Sequence, residues 1–331
     1  MIIVVGGGVM GVTLTYTLAR RGVPVTLLEG GAGPRGASGV PVALLNPYRG
    51  RSARASDFDL EALAATWALV GELEQQGFDP GVHRTGVVRV APNAKQAKTW
   101  AKREGVSPFG PDAAPRGFHA PFGGFVAASG GWLEPHRYLA ALTAGAVRQG
   151  AAVLTGHEVL DVSAGLEVRT NNGNFQAQQV VLCTGSSLTL GQGEVGLEQV
   201  AGEVVGLALQ NPDPPLPYPL AGAVYGAQVG GAFFLGGNHR SAGLTDEHAP
   251  MLLRQAGGWF VPALRDADVK SVWHGVRVTA EDHLPVVRPL RPGVLFVGGL
   301  AGRGFLAAAS VARKVSQRVS DTLLGQGDVS L

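Results

Sequence analysis

The sequence predicts an α/β chain, α+β overall, in which a Rossmann-like nucleotide-binding domain is joined to a second, mainly antiparallel β-sheet domain. Three observations predict this. Residues 1–30 spell a complete βαβ unit around a glycine-rich turn, residues 200–278 are patterned mostly as strand, and Val294–Val297 is a core strand running through a second glycine-rich turn into a long helix. A length of 331 residues suits two domains. With 45% hydrophobic and 16% charged residues the chain can build a large core, which excludes a disordered protein. Lys plus Arg number 27 against 25 Asp plus Glu, so no global charge draws a polyanion. The single cysteine, Cys183, excludes an internal disulfide and a multi-cysteine metal site, and no other metal site is expected. Met1–Val5 enters a glycine turn without a basic leader, and no apolar run reaches spanning length, so a cytoplasmic protein without a membrane partner is expected.

Ile2–Val5 is a run of β-formers, and Val12, Leu14, Tyr16 and Leu18 belong to the helix that follows the turn Gly6-Gly7-Gly8-Val9-Met10-Gly11. Gly6, Gly8 and Gly11 fit the dinucleotide fingerprint. The first permits the tight turn, the second lets a pyrophosphate approach the backbone, and the third lets helix and sheet pack closely. Val9 and Met10 open the helix, whose free N–H groups face the phosphates. Gly22 closes it, and the strand 23–28 presents Glu29 to a ribose hydroxyl pair. The fingerprint serves NAD and FAD alike, and Glu29 argues only against NADP.

The turn-rich stretch Gly30–Gly50 is long for a loop in a compact core and is expected to lie along a cofactor. Asp57 is the expected cap of a helix over 58–76, closed by Gly77. Strands over 85–91 and 118–127 flank a short exposed helix at 94–104. Pro135 starts a helix reaching Gln149, with Gly150 beyond it. Strands then follow at 153–162, 166–170 and 175–178, the last two joined by an Asn172-Gly173 hairpin signal, and Val180–Cys183 is a buried strand ending in Thr184-Gly185. One helix, 249–260, interrupts the later strands. A final amphipathic helix covers 303–324, and the tail after Gly325 reads as disordered.

The order of these parts resembles the D-amino-acid-oxidase-type (DAO) FAD-dependent oxidoreductases, which include glycine oxidase, sarcosine oxidase and the FAD domain of the bifunctional enzyme modifying tRNA wobble uridine. The resemblance spans nearly the whole chain. It rests on the Gly6–Gly11 turn, Ala37-Ser38-Gly39, Gly130–Pro135, Leu182–Gly185, Gly275-Val276-Arg277, Asp282–Pro285 and Gly302-Arg303-Gly304. It implies non-covalent FAD in a discontinuous Rossmann-like domain (1–78, 130–199, 275–331) and an inserted substrate domain (79–129, 200–274). It also implies cofactor contacts at Ala37, Ser38, Gly39, Thr184, Gly185, Gly302, Arg303, Gly304 and Phe305. By the same resemblance Arg277 pairs with a substrate carboxylate, with Arg303 a weaker anion-binding candidate facing either substrate or flavin. Bidentate guanidinium–carboxylate pairing gives Arg277 its orienting power. The turn 298–304 before the last helix can offer N–H groups to negative charge on a reduced ring.

The expected activity is oxidation of the C–N bond of an amine or amino acid by hydride transfer to flavin, followed by hydrolysis of the imine. The alternatives are the same chemistry on a carboxymethylaminomethyl-uridine of tRNA and a non-catalytic flavoprotein. Arg49, Arg51 and Arg54 form the one basic run for RNA, although such a run is more often a solvated loop. Cys183, on an apolar strand, is expected to be inert. His274 and His283 receive no role, and Trp132, Tyr225, Phe234, Trp259 and Trp273 are assigned to the core. Three departures from the relatives bear on the substrate: the apolar Val40-Pro41-Val42-Ala43, Val278 after the motif arginine, and Arg288 where relatives often have glycine. The amine, its electron acceptor and the oligomeric state stay open at this point.

Overall fold

Ile2–Val5 (β1), buried at every residue, is an inner strand of a six-stranded sheet in a computed structural model that describes residues 1–33, 36–190, 195–209, 215–237, 240–241 and 248–323. β1 lies parallel between β2 (Val25–Glu29) and β13 (Gln179–Leu182). Outside them run β9 (Ala152–Thr155) and β20 (Val294–Gly298), also parallel, with antiparallel β19 (Val286–Arg291) at one edge. Parallel strands covered by helices read as unbroken apolar runs; β1 does so throughout and β13 from Val180 on. Helix α1 (Val9–Arg20) is buried from Val9 to Ala19 because α4 (Pro135–Arg148) and α6 (Gly304–Leu323) pack on it. Helix α2 (Asp57–Gln75) packs on α6.

The second large sheet carries β15 (Tyr225–Val229), β16 (Ala232–Gly236), β14 (Glu198–Ala208), β17 (Arg240–Ser241) and β18 (Val269–Thr279). β14 and β18 pair antiparallel from Glu198↔Thr279 to Leu207↔Val269, with one register shift after Gly206. Below this sheet α5 (Ala249–Phe260) closes a separate core that includes Phe233, Leu235, Leu253 and Leu264. Bridges through Leu220 link the sheet to β5 (Val87–Val90), which pairs with β7 (Gly124–Ala127) and then β6 (Ser107–Phe109). Two small sheets complete the fold: β3 (Ala43–Leu45), β8 (Gly131–Leu133) and β4 (Val82–His83); and β10 (Val159–Val162), β11 (Glu167–Thr170) and β12 (Gly173–Gln176). The boundary at 274/275 falls inside β18, and the β3–β8–β4 sheet bridges the one at 129/130.

Several local expectations shift. Ser56, not Asp57, caps α2, its hydroxyl accepting from the Asp59 N–H at 3.1 Å. The single strand expected over 153–162 is two, because Gly156 takes φ 72° and turns the chain out of the parallel sheet into the three-stranded one. Only Gly124–Ala127 of the strand expected over 118–127 forms, and α3 (Ala94–Trp100) stops four residues before Glu104. The hairpin signal lands one residue early: Thr170 pairs with Gly173, so Asn171 and Asn172 make the turn. β3, β6 and β19 have no counterpart in the sequence reading. Pro34, Arg35, the end of the last helix at Leu324 and the tail after Gly325 lie outside the described residues.

Candidate active site

A cavity of about 910 Å³ opens where β1, β2, β13 and β20 reach their carboxyl ends. In open α/β sheets this is where ligands bind, since the crevice there meets helix N-termini. Its opposite wall is one face of the β14–β18 sheet, and the loop 30–50 runs along it.

At the cradle end, Gly6 holds φ 106°, and a Cβ there would lie 2.5 Å from the Cys183 carbonyl oxygen. A Cβ on Gly11 would lie 1.9 Å from the Gly6 carbonyl oxygen. Gly11 therefore acts by close packing and does not line the cavity. Gly8 is the N-cap of α1, which has no side-chain cap and no acidic residue in its first turn. Such a helix end fits the pyrophosphate of a dinucleotide. Ser38, on the 3₁₀ turn Ala37–Gly39, accepts the Val9 N–H at 3.0 Å and fixes this turn against the helix. Gly39 itself lies off the cavity, its N–H donating to the Gly36 carbonyl at 2.9 Å. Glu29 accepts the Gly7 N–H at 2.6 Å and the Gly31 N–H at 2.8 Å, which fixes its carboxylate in the cavity wall. Gly6, Gly8, Val9, Met10, Ala37, Thr184 and Gly185 share the same wall. Cys183 is buried, and burial pushes its thiol pKa up, as an inert packing role requires.

At the other end, Thr279 bridges to Leu300, tying β18 to the turn that follows β20. That bridge sets Arg277 beside Gly302: a Cβ on Gly302 would lie 3.3 Å from Arg277 Nη1. Ala301 in the same turn has φ 50°, a left-handed backbone unusual for a residue with a Cβ and typical of functional turns. Gly302, Gly304 and Phe305 line the cavity. Strand alternation puts Arg277, Gly275 and Trp273 on one face of β18, and the indole lies across the space a Gly275 Cβ would fill, 2.1 Å from it. Tyr225 of β15 also lines the cavity, and burial raises its pKa against the opposing charge of Arg277.

Arg303 corrects the expectation that it faces substrate or flavin. Its side chain is 6% exposed, pairs with Asp59 at 3.3 Å, lies over the Phe58 ring and is not part of the cavity wall. The guanidinium locks the start of the last helix to α2. Removing the acid from a buried pair strands the charge, so Asp59→Ala is expected to cost on the order of 3 kcal/mol in chemical denaturation. An unchanged midpoint and slope would show that Arg303 is satisfied without it.

Arg51 and Arg54 are exposed, whereas Arg49 turns into the cavity. Of the five aromatics assigned to the core, Trp132 is buried and stacks on His83 at 3.8 Å, Phe234 is half-buried and Trp259 is 38% exposed. Tyr225 and Trp273 are cavity wall. His274 lies 3.7 Å from Glu203, and His283 bonds the Thr279 hydroxyl at 3.0 Å. Among the described residues no group of three or more His, Cys, Asp or Glu side chains is placed to hold a metal, and no helix is long and apolar enough to cross a membrane.

A family model described as DAO, FAD dependent oxidoreductase, matches residues 1–318. The chain is 28% identical over 326 residues to the tRNA 5-methylaminomethyl-2-thiouridine biosynthesis bifunctional protein of Maricaulis maris, covering 96% of this chain and 51% of that protein. It therefore spans about half the length of that relative. It is 26% identical over 342 residues to the glycine oxidase of Geobacillus kaustophilus, covering 92% of this chain and 88% of that one. The crystal structure of glycine oxidase from Geobacillus kaustophilus superposes with a TM-score of 0.83 at 24% identity, over 99% of this chain and 95% of that one.

Proposed function

Since the chain belongs to the DAO family of FAD-dependent oxidoreductases, we propose that it oxidises the C–N bond of an amine that carries a carboxylate. The observation that carries this reading is Arg277 on the cavity wall, its Nη1 set against Gly302. A planar fork there binds a carboxylate in two hydrogen bonds and leaves the adjoining amine-bearing carbon in a fixed place. Tyr225, held as a neutral hydroxyl by burial, adds a donor beside it.

FAD fits the cradle, with the start of α1, whose N-cap Gly8 carries no side chain, for its pyrophosphate and Glu29 for its ribose. When bound, it supplies the acceptor for the hydride that leaves the substrate carbon. The substrate becomes an imine, which water hydrolyses. Backbone N–H groups of the turn 298–304 and the start of α6, which has no acid in its first turn, favour negative charge at that end of the cavity. An amine that binds neutral needs no protein base. A cytoplasmic location is part of this proposal, resting on the lone, buried Cys183.

The test is anaerobic mixing of the yellow holoprotein with a panel of amines and amino acids. Bleaching by carboxylated amines and not by their decarboxylated analogues is the expected result, and no bleaching by any of them would overturn it. The exposed Arg51 and Arg54 at the end of the cavity loop favour one second reading, a carboxymethylaminomethyl-uridine within tRNA. Apparent affinity for RNA would fall steeply as salt rises, with a log–log slope of roughly −0.7 to −0.9 per phosphate contact, whereas that for a free amino acid would change little.

A further inference from the structure

Among the described residues, Arg49 adds a second guanidinium to the substrate end of the cavity, close enough to Arg277 for their charges to interact. Its side chain is 38% accessible. The acid facing Arg49 is Asp59 at 3.9 Å, but Asp59 lies closer to Arg303, at 3.3 Å, and accepts the Ser56 hydroxyl at 2.7 Å. One carboxylate thus serves two guanidinium groups. Burial lowers the pKa of Arg49, and the charges of Arg303 and Arg277 act in the same direction against the opposing charge of Asp59. Among the described residues the acids of the cavity wall are Glu29 and Glu158, both at the cradle end, where Glu29 is held by Gly7 and Gly31 and Glu158 packs against Gly30.

Arg49 is also held in place by another cavity-lining arginine that is almost wholly buried. Arg89, 5% exposed, donates to the carbonyls on either side of it, Nη1 to Tyr48 at 2.6 Å and Nη2 to Gly50 at 2.8 Å. Its guanidinium lies 4.8 Å from the Trp100 ring, and its buried Nε has no hydrogen-bond partner. Burial lowers its pKa to about 10, so at neutral pH it remains a cation. The backbone N–H of Arg49 donates to the Arg54 carbonyl at 3.1 Å, which closes the loop on the other side. A buried cation used to fix a second cation at a cavity wall makes sense where an anion is to be received, because low-dielectric walls concentrate the field.

We propose that Arg49 is a second anion site of this cavity and that the substrate is an amine bearing two acid groups, one received by Arg277 and the other by Arg49. This rests on the reading of the cavity as an amine-oxidising site, and it is testable without turnover. Thiodiacetate and methylthioacetate place sulfur where the oxidisable nitrogen would be and differ by one carboxylate. Calorimetric titration of the oxidised holoenzyme is expected to show thiodiacetate binding at least about ten-fold more tightly, the value of one further charge-assisted contact.

Arg49→Gln is expected to collapse that ratio towards one, and Arg49→Lys to keep most of it. Equal affinity of the two thioethers for the wild-type protein would overturn the proposal, and so would a ratio that survives in Arg49→Gln. The wild-type comparison stands even if Arg49→Gln is unstable. A ten-fold ratio in a protein whose flavin no amine bleaches would support the second anion site and sink the amine-oxidase reading, so the two fail separately.

Discussion

Gly11→Ala is expected to yield a protein that retains no FAD and unfolds well below the wild type. The added methyl group would lie 1.9 Å from the Gly6 carbonyl oxygen, 3.1 Å from its carbon and 3.3 Å from Cys183 Cβ. The first two are backbone atoms of the glycine turn itself, so no rotamer change relieves the contact. Helix α1 must move off β1, and overpacking of this kind costs roughly 1–3 kcal/mol or more. The same movement opens the cradle. The measurements are the flavin-to-protein ratio after purification and the thermal midpoint of the apoprotein. Gly71→Ala is the control: it sits inside α2 with nothing within 4 Å of the new Cβ, and it should stabilise by about 0.5–1 kcal/mol. A Gly11→Ala protein that keeps its flavin would show that the helix can shift without loss of the site.

Arg277→Ala should leave FAD in place and remove the preference for carboxylated amines. Losing a charge-assisted partner costs on the order of 2–3 kcal/mol, or roughly thirty- to a hundred-and-fifty-fold in apparent substrate affinity. Arg277→Lys should already lose much of this, because an ammonium cannot reproduce the planar fork. The deciding comparison is between a carboxylated amine and its decarboxylated analogue, which the Ala variant should treat alike. A variant that loses its flavin or fails to fold would mark Arg277 as structural and remove the main support for a carboxylated substrate.

The cradle was legible because its function is written in local spacing. Gly6, Gly8, Gly11 and Glu29 are brought together by one βαβ unit, and β1, α1 and β2 stand where the pattern puts them. The long loop 30–50 was legible in kind, as a segment that follows a cofactor-sized crevice, but the direction of its side chains was not. Arg49 sits in a basic run that reads as solvated, and only the long-range hold of Arg89, forty residues later in sequence, turns it inward. Tyr225 and Trp273 lie in strands patterned like any half-buried sheet. Their place on the cavity face follows from the pairing of β14 with β16 and β18, which a single strand does not reveal. Arg303 shows the opposite error. Its neighbours Gly302 and Gly304 form the cavity wall, but its own side chain points to Asp59, 244 positions earlier in the chain.

The bulge in β18 divides that strand into two regions with different tolerance to change in length. Pairing with β14 is unbroken from Thr279 back to Ser271, and Lys270 is the extra residue before Val269 resumes it. A residue gained or lost on the Val269 side has a place to be absorbed. On the Ser271–Thr279 side none exists, because the Thr279–Leu300 bridge anchors the other end. With Thr279 held, a single deletion at Val276 would flip the strand from Gly275 back, carrying Trp273 off the cavity face and presenting His274 to it. Side chains can therefore be exchanged along Ser271–Thr279, while insertions and deletions are confined to the short end of the strand at Val269 and Lys270.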